Sequence, residues 1–307
     1  MPLLKASLPS IPGIAAARVD SAAFPQAGQG RFRRGLLAHC SNSACRSGWL
    51  HLWRSPTVPV FEDGWTCSAE CTAARVGSAV AREFGGMESA RPDHRHRIPL
   101  GLLMLEHGWI TQSQLRRAVD AQKRAGAGRL GSWLVRQGAA TESVITRALA
   151  LQWSCPVLST EFHDPARVST VIPRLFVDAF GALPLRVSAG RTLYLGFEES
   201  LDPALALSIE RMTGLRVVSG IVQESCFRPA HGRLIETKFP PVELIESVSE
   251  TAATRTLARC VERFRPAAAR LVRVHECLWL RMWDAADPRP LHGPGKMEDV
   301  ICLVGAF

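Results

Sequence analysis

Four cysteines in two close pairs are the residues of this sequence best suited to chemistry. Cys40 and Cys45 are separated by four residues, Cys67 and Cys71 by three, and twenty-one lie between the pairs. Thiolates carried on two short turns, brought together by the loop between them, match a tetrahedral zinc ion. Cys40, Cys45, Cys67 and Cys71 are therefore the expected metal ligands of a small zinc-ribbon-like module, with His39 or His51 able to replace one of them. Trp49, Trp53, Phe61 and Trp65 between the pairs would give a core too small to fold without such a staple. Ordinary buried thiols or a redox pair are the alternative. Cys155, Cys226, Cys260, Cys277 and Cys302 show no pairing and read as small buried residues. The stretch DHRHR at 93–97 could hold metal or phosphate, but reads as a solvated linker.

The second chemical feature is a repeat. PLGLLMLEHGWITQSQLRRAVDAQ, residues 99–122, aligns without a gap with RLGSWLVRQGAATESVITRALALQ, residues 129–152. Each copy needs two helices to position it. Gly108 and Gly138 stop the first helix, because glycine enters the left-handed cap conformation at little cost. Thr111 and Thr141 stand at the next N-cap, and Gln114 completes a capping box with Thr111. Leu115, Ala118 and Val119, and in the second copy Ile145, Ala148 and Leu149, share one helical face and form core. Packing does not account for the LG pair opening each copy, the Gln closing it, or Arg129. Glycine at a helix start lets a ligand approach backbone N–H groups that favour phosphate, and arginine pairs with phosphate or stacks on a base. Duplicated half-sites suit a ligand that is itself two-fold symmetric.

At these residues the sequence resembles the N-terminal domain of type II secretion and type IV pilus assembly ATPases, the MshEN domain, over roughly residues 97–227. In that family two tandem 24-residue motifs bind cyclic di-GMP. The resemblance implies a ligand set of Leu100, Gly101, Gly108, Leu115 and Gln122 from the first copy, and Arg129, Leu130, Gly131, Gly138, Ile145 and Gln152 from the second. Pro99 stands where the family has its first Arg, so the first half-site would draw its cation from Arg97 or Arg95. Ser132 and Trp133 follow the second LG pair. The family's ATPases carry a GxxxxGK[ST] phosphate loop further on; GPGKM at 293–297 has neither its spacing nor its hydroxyl. ATP-driven secretion by this chain alone is not expected.

Around these sites, 307 residues make room for about two domains, and 47% hydrophobic with 21% charged residues exclude wholesale disorder. No apolar run is long enough to span a membrane. Pro9, Pro12 and Gly13 break the N-terminal stretch before a signal peptide core develops, and reduced thiols fit a cytoplasmic address. The expected fold class is α+β and multidomain: a disordered lead over 1–37, the cysteine module over 38–84, a linker over 85–97, the four-helix repeat and a small α/β subdomain over 98–230, and a C-terminal α/β segment over 240–307. In the last, the helical pattern runs through ELIESVSETAATRTLARCVERF before two strand-like runs. The net charge of +9 would attract nucleic acid, anionic lipid or a phosphorylated small molecule. No Ser/His/Asp, Cys/His or paired-carboxylate arrangement is present. The leading expectation is a non-enzymatic adaptor that senses a cyclic dinucleotide for a secretion, pilus or signalling partner. The alternatives are a zinc-containing nucleic-acid-binding protein and a scaffold that has lost its ligand.

Overall fold

The computed structural model describes residues 39–46, 59–85, 97–189, 191–285 and 296–304. His51, Trp49, Trp53 and Arg95, the expected lead and all but the ends of the expected linker lie outside the described residues. A short hairpin, β1 (Val60–Phe61) and β2 (Gly64–Trp65), leads into α1 (Ala69–Gly85). Four helices follow: α2 (Leu100–Glu106), α3 (Gln112–Ala125), α4 (Leu130–Arg136) and α5 (Glu142–Trp153). Next come α6 (Pro165–Val168), α7 (Arg174–Phe180), β3 (Ala182–Val187), β4 (Thr192–Phe197), α8 (Pro203–Thr213), β5 (Arg216–Ile221) and α9 (Glu224–Ile235). The last described elements are β6 (Val242–Ser247), α10 (Glu250–Phe264), β7 (Ala268–Val274), β8 (Cys277–Trp283) and β9 (Met297–Val304). The fold is thus α+β, with ten helices and three small sheets among the described residues.

Sheet order explains the packing. One sheet runs β3-β4-β5, with an antiparallel β3/β4 hairpin and a parallel β4/β5 pair joined over α8. The other runs β6-β9-β8-β7, parallel only between β6 and β9. Successive side chains of a strand point to opposite faces, and this second sheet is apolar on both. Leu278, Leu280, Met282, Val300 and Cys302 join Val76, Ala79 and Val80 of α1 and Leu257 and Val261 of α10 in one core. Trp279, Trp283 and Ile301 face the other way, into a core built with Phe176, Leu193, Leu195, Ile209 and Phe227. The C-terminal strands are therefore the layer on which the cysteine segment and the α/β part both pack.

The structure departs from the sequence pattern in several places. Val242–Ser247 is a strand rather than the start of a helix, because it pairs in register with Asp299–Val304 of β9; helix begins after Ser249, whose hydroxyl accepts from the Ala252 N–H. Strand β7 and the 17-residue α1 are additions the pattern did not single out. Cys226 is exposed, not a buried small residue, whereas Cys260 and Cys302 are buried.

Candidate functional site

The repeat folds as the spacing of its glycines and caps dictates. Gly108 and Gly138 adopt φ of +66° and +65° at the ends of α2 and α4. Thr111 Oγ1 accepts from the Gln114 N–H at 3.3 Å while Gln114 Oε1 accepts from the Thr111 N–H at 2.7 Å, closing the capping box. Thr141 occupies the equivalent place without a side-chain cap; Val144 stands where Gln114 stood, and the hydroxyl turns to Ser143 at 3.0 Å. Helix α3 packs on α4, and α2 on α5, so each copy's first helix lies against the other copy's second. Met104, Leu134, Ala118 and Ala148 form the fully covered centre.

The paired positions keep this two-fold logic. A Cβ at Gly101 would lie 2.7 Å from Leu115 Cδ1 and 3.2 Å from Leu130 Cδ2; one at Gly131 would lie 2.8 Å from Ile145 Cγ2. The glycine of each LG pair thus admits the branched side chain fourteen residues later. The two glutamines are exchanged: Gln122 Nε2 donates to the Gly128 carbonyl at 2.8 Å, just before the second copy, and Gln152 Nε2 donates to the Ile98 carbonyl at 2.7 Å, just before the first.

The cations break the symmetry. Arg97 lies over the Trp153 ring, 3.2 Å from its centroid. Arg129, the N-cap of α4, reaches Glu198 at 2.9 Å and Glu199 at 2.7 Å, at the end of β4. Burial pushes the Glu199 carboxyl above the usual carboxylate range, against the pull of Arg129. Of the expected ligand residues, Gly131 and Ile145 line a cavity of about 550 Å³ that opens between α4, α5 and the start of α9. Its walls include Glu142, Glu198, Glu199 and Glu224 against Arg136 and Arg228. Glu142 accepts from the Ser225 N–H at 2.6 Å and from Gln223 at 3.0 Å; burial raises its pKa, but these donors outweigh it and hold the carboxyl low. Gln122, Arg129 and Gln152 are not among its lining residues. The sequence reading missed this acidic wall, although the Glu198–Glu199 pair directly after β4 was a visible mark.

At the cysteines, the ligand atoms of Cys40, Cys45, Cys67 and Cys71 all lie within 4.8 Å of one another. Cys45 Sγ and Cys67 Sγ are 3.5 Å apart, Cys67 Sγ and Cys71 Sγ 3.7 Å. Zinc–sulfur bonds of about 2.3 Å place the corners of a tetrahedron about 3.8 Å apart, so the donor set fits a metal of that size. Burial pushes the Cys40 thiol up to about 12, although the Asn42 and Cys67 backbone amides act in the opposite direction. His39 is exposed and is not part of the cluster.

No protein-family model matches the chain. Over 145 residues, 47% of its length, it is 26% identical to the type IV pilus assembly ATPase PilB of Myxococcus xanthus, and over 130 residues it is 29% identical to bacteriophage adsorption protein B of Escherichia coli. The matched stretches span 25% and 17% of those proteins. Among solved structures, MshE with cdg is 28% identical and aligns with 45% of this chain and 99% of that one at a TM-score of 0.36. The N-terminal domain of XpsE is 19% identical, with 46% and 93% covered and a TM-score of 0.31. The matched stretch is similar in sequence to part of a type IV pilus assembly ATPase. Among the described residues no helix is long and apolar enough to cross a membrane.

Proposed function

We propose that this protein is a non-enzymatic adaptor that senses cyclic di-GMP through its tandem repeat and passes that state to a partner of the secretion or pilus type. The observation that carries the reading is the exchanged pair of glutamine bonds, Gln122 to the Gly128 carbonyl and Gln152 to the Ile98 carbonyl. They hold the openings of both half-sites in equivalent positions, as a two-fold symmetric ligand requires. Each amide keeps a second N–H and its oxygen for a ligand. Phosphate recognition falls to Arg129, paired with Glu198 and Glu199 of the cavity wall, and to Arg97, which lies over the Trp153 ring.

In this reading Arg129 is the switch. A phosphodiester that takes Arg129 must draw it from Glu198 and Glu199, and so loosens the repeat from the α/β part. A ligand shifts a conformational equilibrium only through such differential contacts. Titration calorimetry with cyclic di-GMP tests it. Binding is expected to weaken about tenfold to a hundredfold in Arg129→Ala, the loss of a charge-assisted pair, and to weaken in Gln152→Ala. The double change Glu198→Gln with Glu199→Gln is expected to tighten it severalfold. No heat at high ligand concentration with the folded wild-type chain would remove the reading.

A further inference from the structure

The cysteine cluster does not sit on a free-standing module. The Val60 N–H donates to the Pro266 carbonyl at 2.8 Å and the Glu62 N–H to the Ala269 carbonyl at 2.9 Å, so the hairpin is fastened to the edge of β7. Phe61 is wholly buried in the core shared by α1, α10 and the C-terminal strands. At the far end of α1, Glu83 accepts from Arg211 of α8 and from the Arg273 N–H of β7. All this anchoring is made through Val60, Phe61, Glu62 and Glu83, and none of it through a cysteine sulfur.

The segment carrying Cys40 and Cys45 is held differently. The Ser41 N–H donates to the Trp65 carbonyl at 2.8 Å. Gly64 lets it approach, since a Cβ there would lie 2.4 Å from Ser41 Cβ. Asn42 Nδ2 points at Cys71 Sγ from 3.3 Å, a donor of the kind that orients and supports a metal-bound thiolate. Cys71 is in the first turn of α1, where the helix dipole favours negative charge. The four sulfurs thus lie within 4.8 Å of one another, with an N–H donor and a helix N-terminus beside them.

We infer that Cys40, Cys45, Cys67 and Cys71 bind one zinc ion that acts as a local clasp, pinning residues 39–46 to the start of α1 on a scaffold that stands without it. This differs from a free zinc ribbon, whose folding depends outright on its metal. It also lies outside the dinucleotide reading, and either stands if the other fails. On binding, the thiols release their protons to solvent and the sulfurs take up the metal; no oxidant or reductant takes part.

The full chain, purified under reducing conditions, is to be assayed for metals and then stripped with a chelator. About one zinc per chain is expected, and cobalt replacement should give the absorption bands of tetrahedral thiolate coordination. After stripping, hydrogen exchange should speed up in residues 39–46 and 66–72, while the body of α1 from Val76 to Glu83 stays protected and the melt stays cooperative. Cys40→Ser with Cys45→Ser, which leaves α1 untouched, should lose the metal yet remain folded. Cys67→Ser with Cys71→Ser should lose it as well. Absence of zinc, iron in its place, or cysteines recovered as disulfides from reduced protein would overturn the site. Loss of the cooperative melt on stripping would overturn the clasp.

Discussion

Glu83 shows how much a single side chain can hold. Its carboxylate is buried and accepts from Arg82, Arg211 and the Arg273 N–H, so it ties α1 to α8 and β7. Burial alone would raise its pKa; Arg211, with Arg82 and the backbone donor, outweighs burial and holds the carboxyl below its ordinary value of 4.5. Because the folded pKa is the lower one, the stability it supplies is complete at neutral pH and is lost as pH falls below about 4.5 through the folded value. Glu83→Gln is therefore expected to cost about 2 kcal/mol at pH 7. In denaturant titrations across the acid range, the gap to wild type should close. A gap that persists at the acid end would contradict this account. Arg281 and Asp299 are a second case: directly opposite on β8 and β9, wholly buried, and joined by two bonds of 2.6 and 2.7 Å. Trp279 donates to the same carboxylate, and Arg281 also donates to the Thr170 and Val171 carbonyls. Removing one partner strands a buried charge, so Asp299→Ala is expected to cost about 3–5 kcal/mol in chemical unfolding.

At the scale of elements, two kinds of glycine serve the repeat, and the same substitution separates them. Gly101 and Gly131 are filled from outside by Leu115 and Ile145, so alanine there overpacks the helix contact. Gly131→Ala is expected to cost about 1–3 kcal/mol. Gly138 has open space around it and φ of +65°, so Gly138→Ala bears only backbone strain, about 1 kcal/mol. Thermal melts of the two variants should rank them in that order, and the reverse order would show that α4 and α5 do not meet as described. The repeat was legible because each of its devices is local: a stop glycine, a threonine at the N-cap position and an apolar face recur at one offset, although only Thr111 caps with its side chain. Helix α1 was not legible in the same way, since its partners α10 and β7 lie far along the chain.

For the whole molecule, the cysteine segment, the α/β part and the C-terminal strands meet on one two-sided sheet. A strand buried on both faces loses its alternation and reads as an unbroken apolar run, as in CLWLRMW. Hence the run was recognisable as a strand, while its central position was not. The helical reading of 243–247 failed for a related reason: a parallel edge pairing with β9 overrode local preference.

The sequence by itself determined the thirty-residue repeat, its Thr111 cap and glycine stops, the cysteine pairs and the α+β class, because neighbouring residues settle each of these. Only the tertiary structure decided that the glutamines are exchanged between copies, that Arg129 turns to Glu198 and Glu199, that Gly131 and Ile145 face an acidic cavity, and that four sulfurs converge beside a helix built into the main fold. Those arrangements join residues far apart along the chain, and no local pattern records which distant partner a side chain will meet.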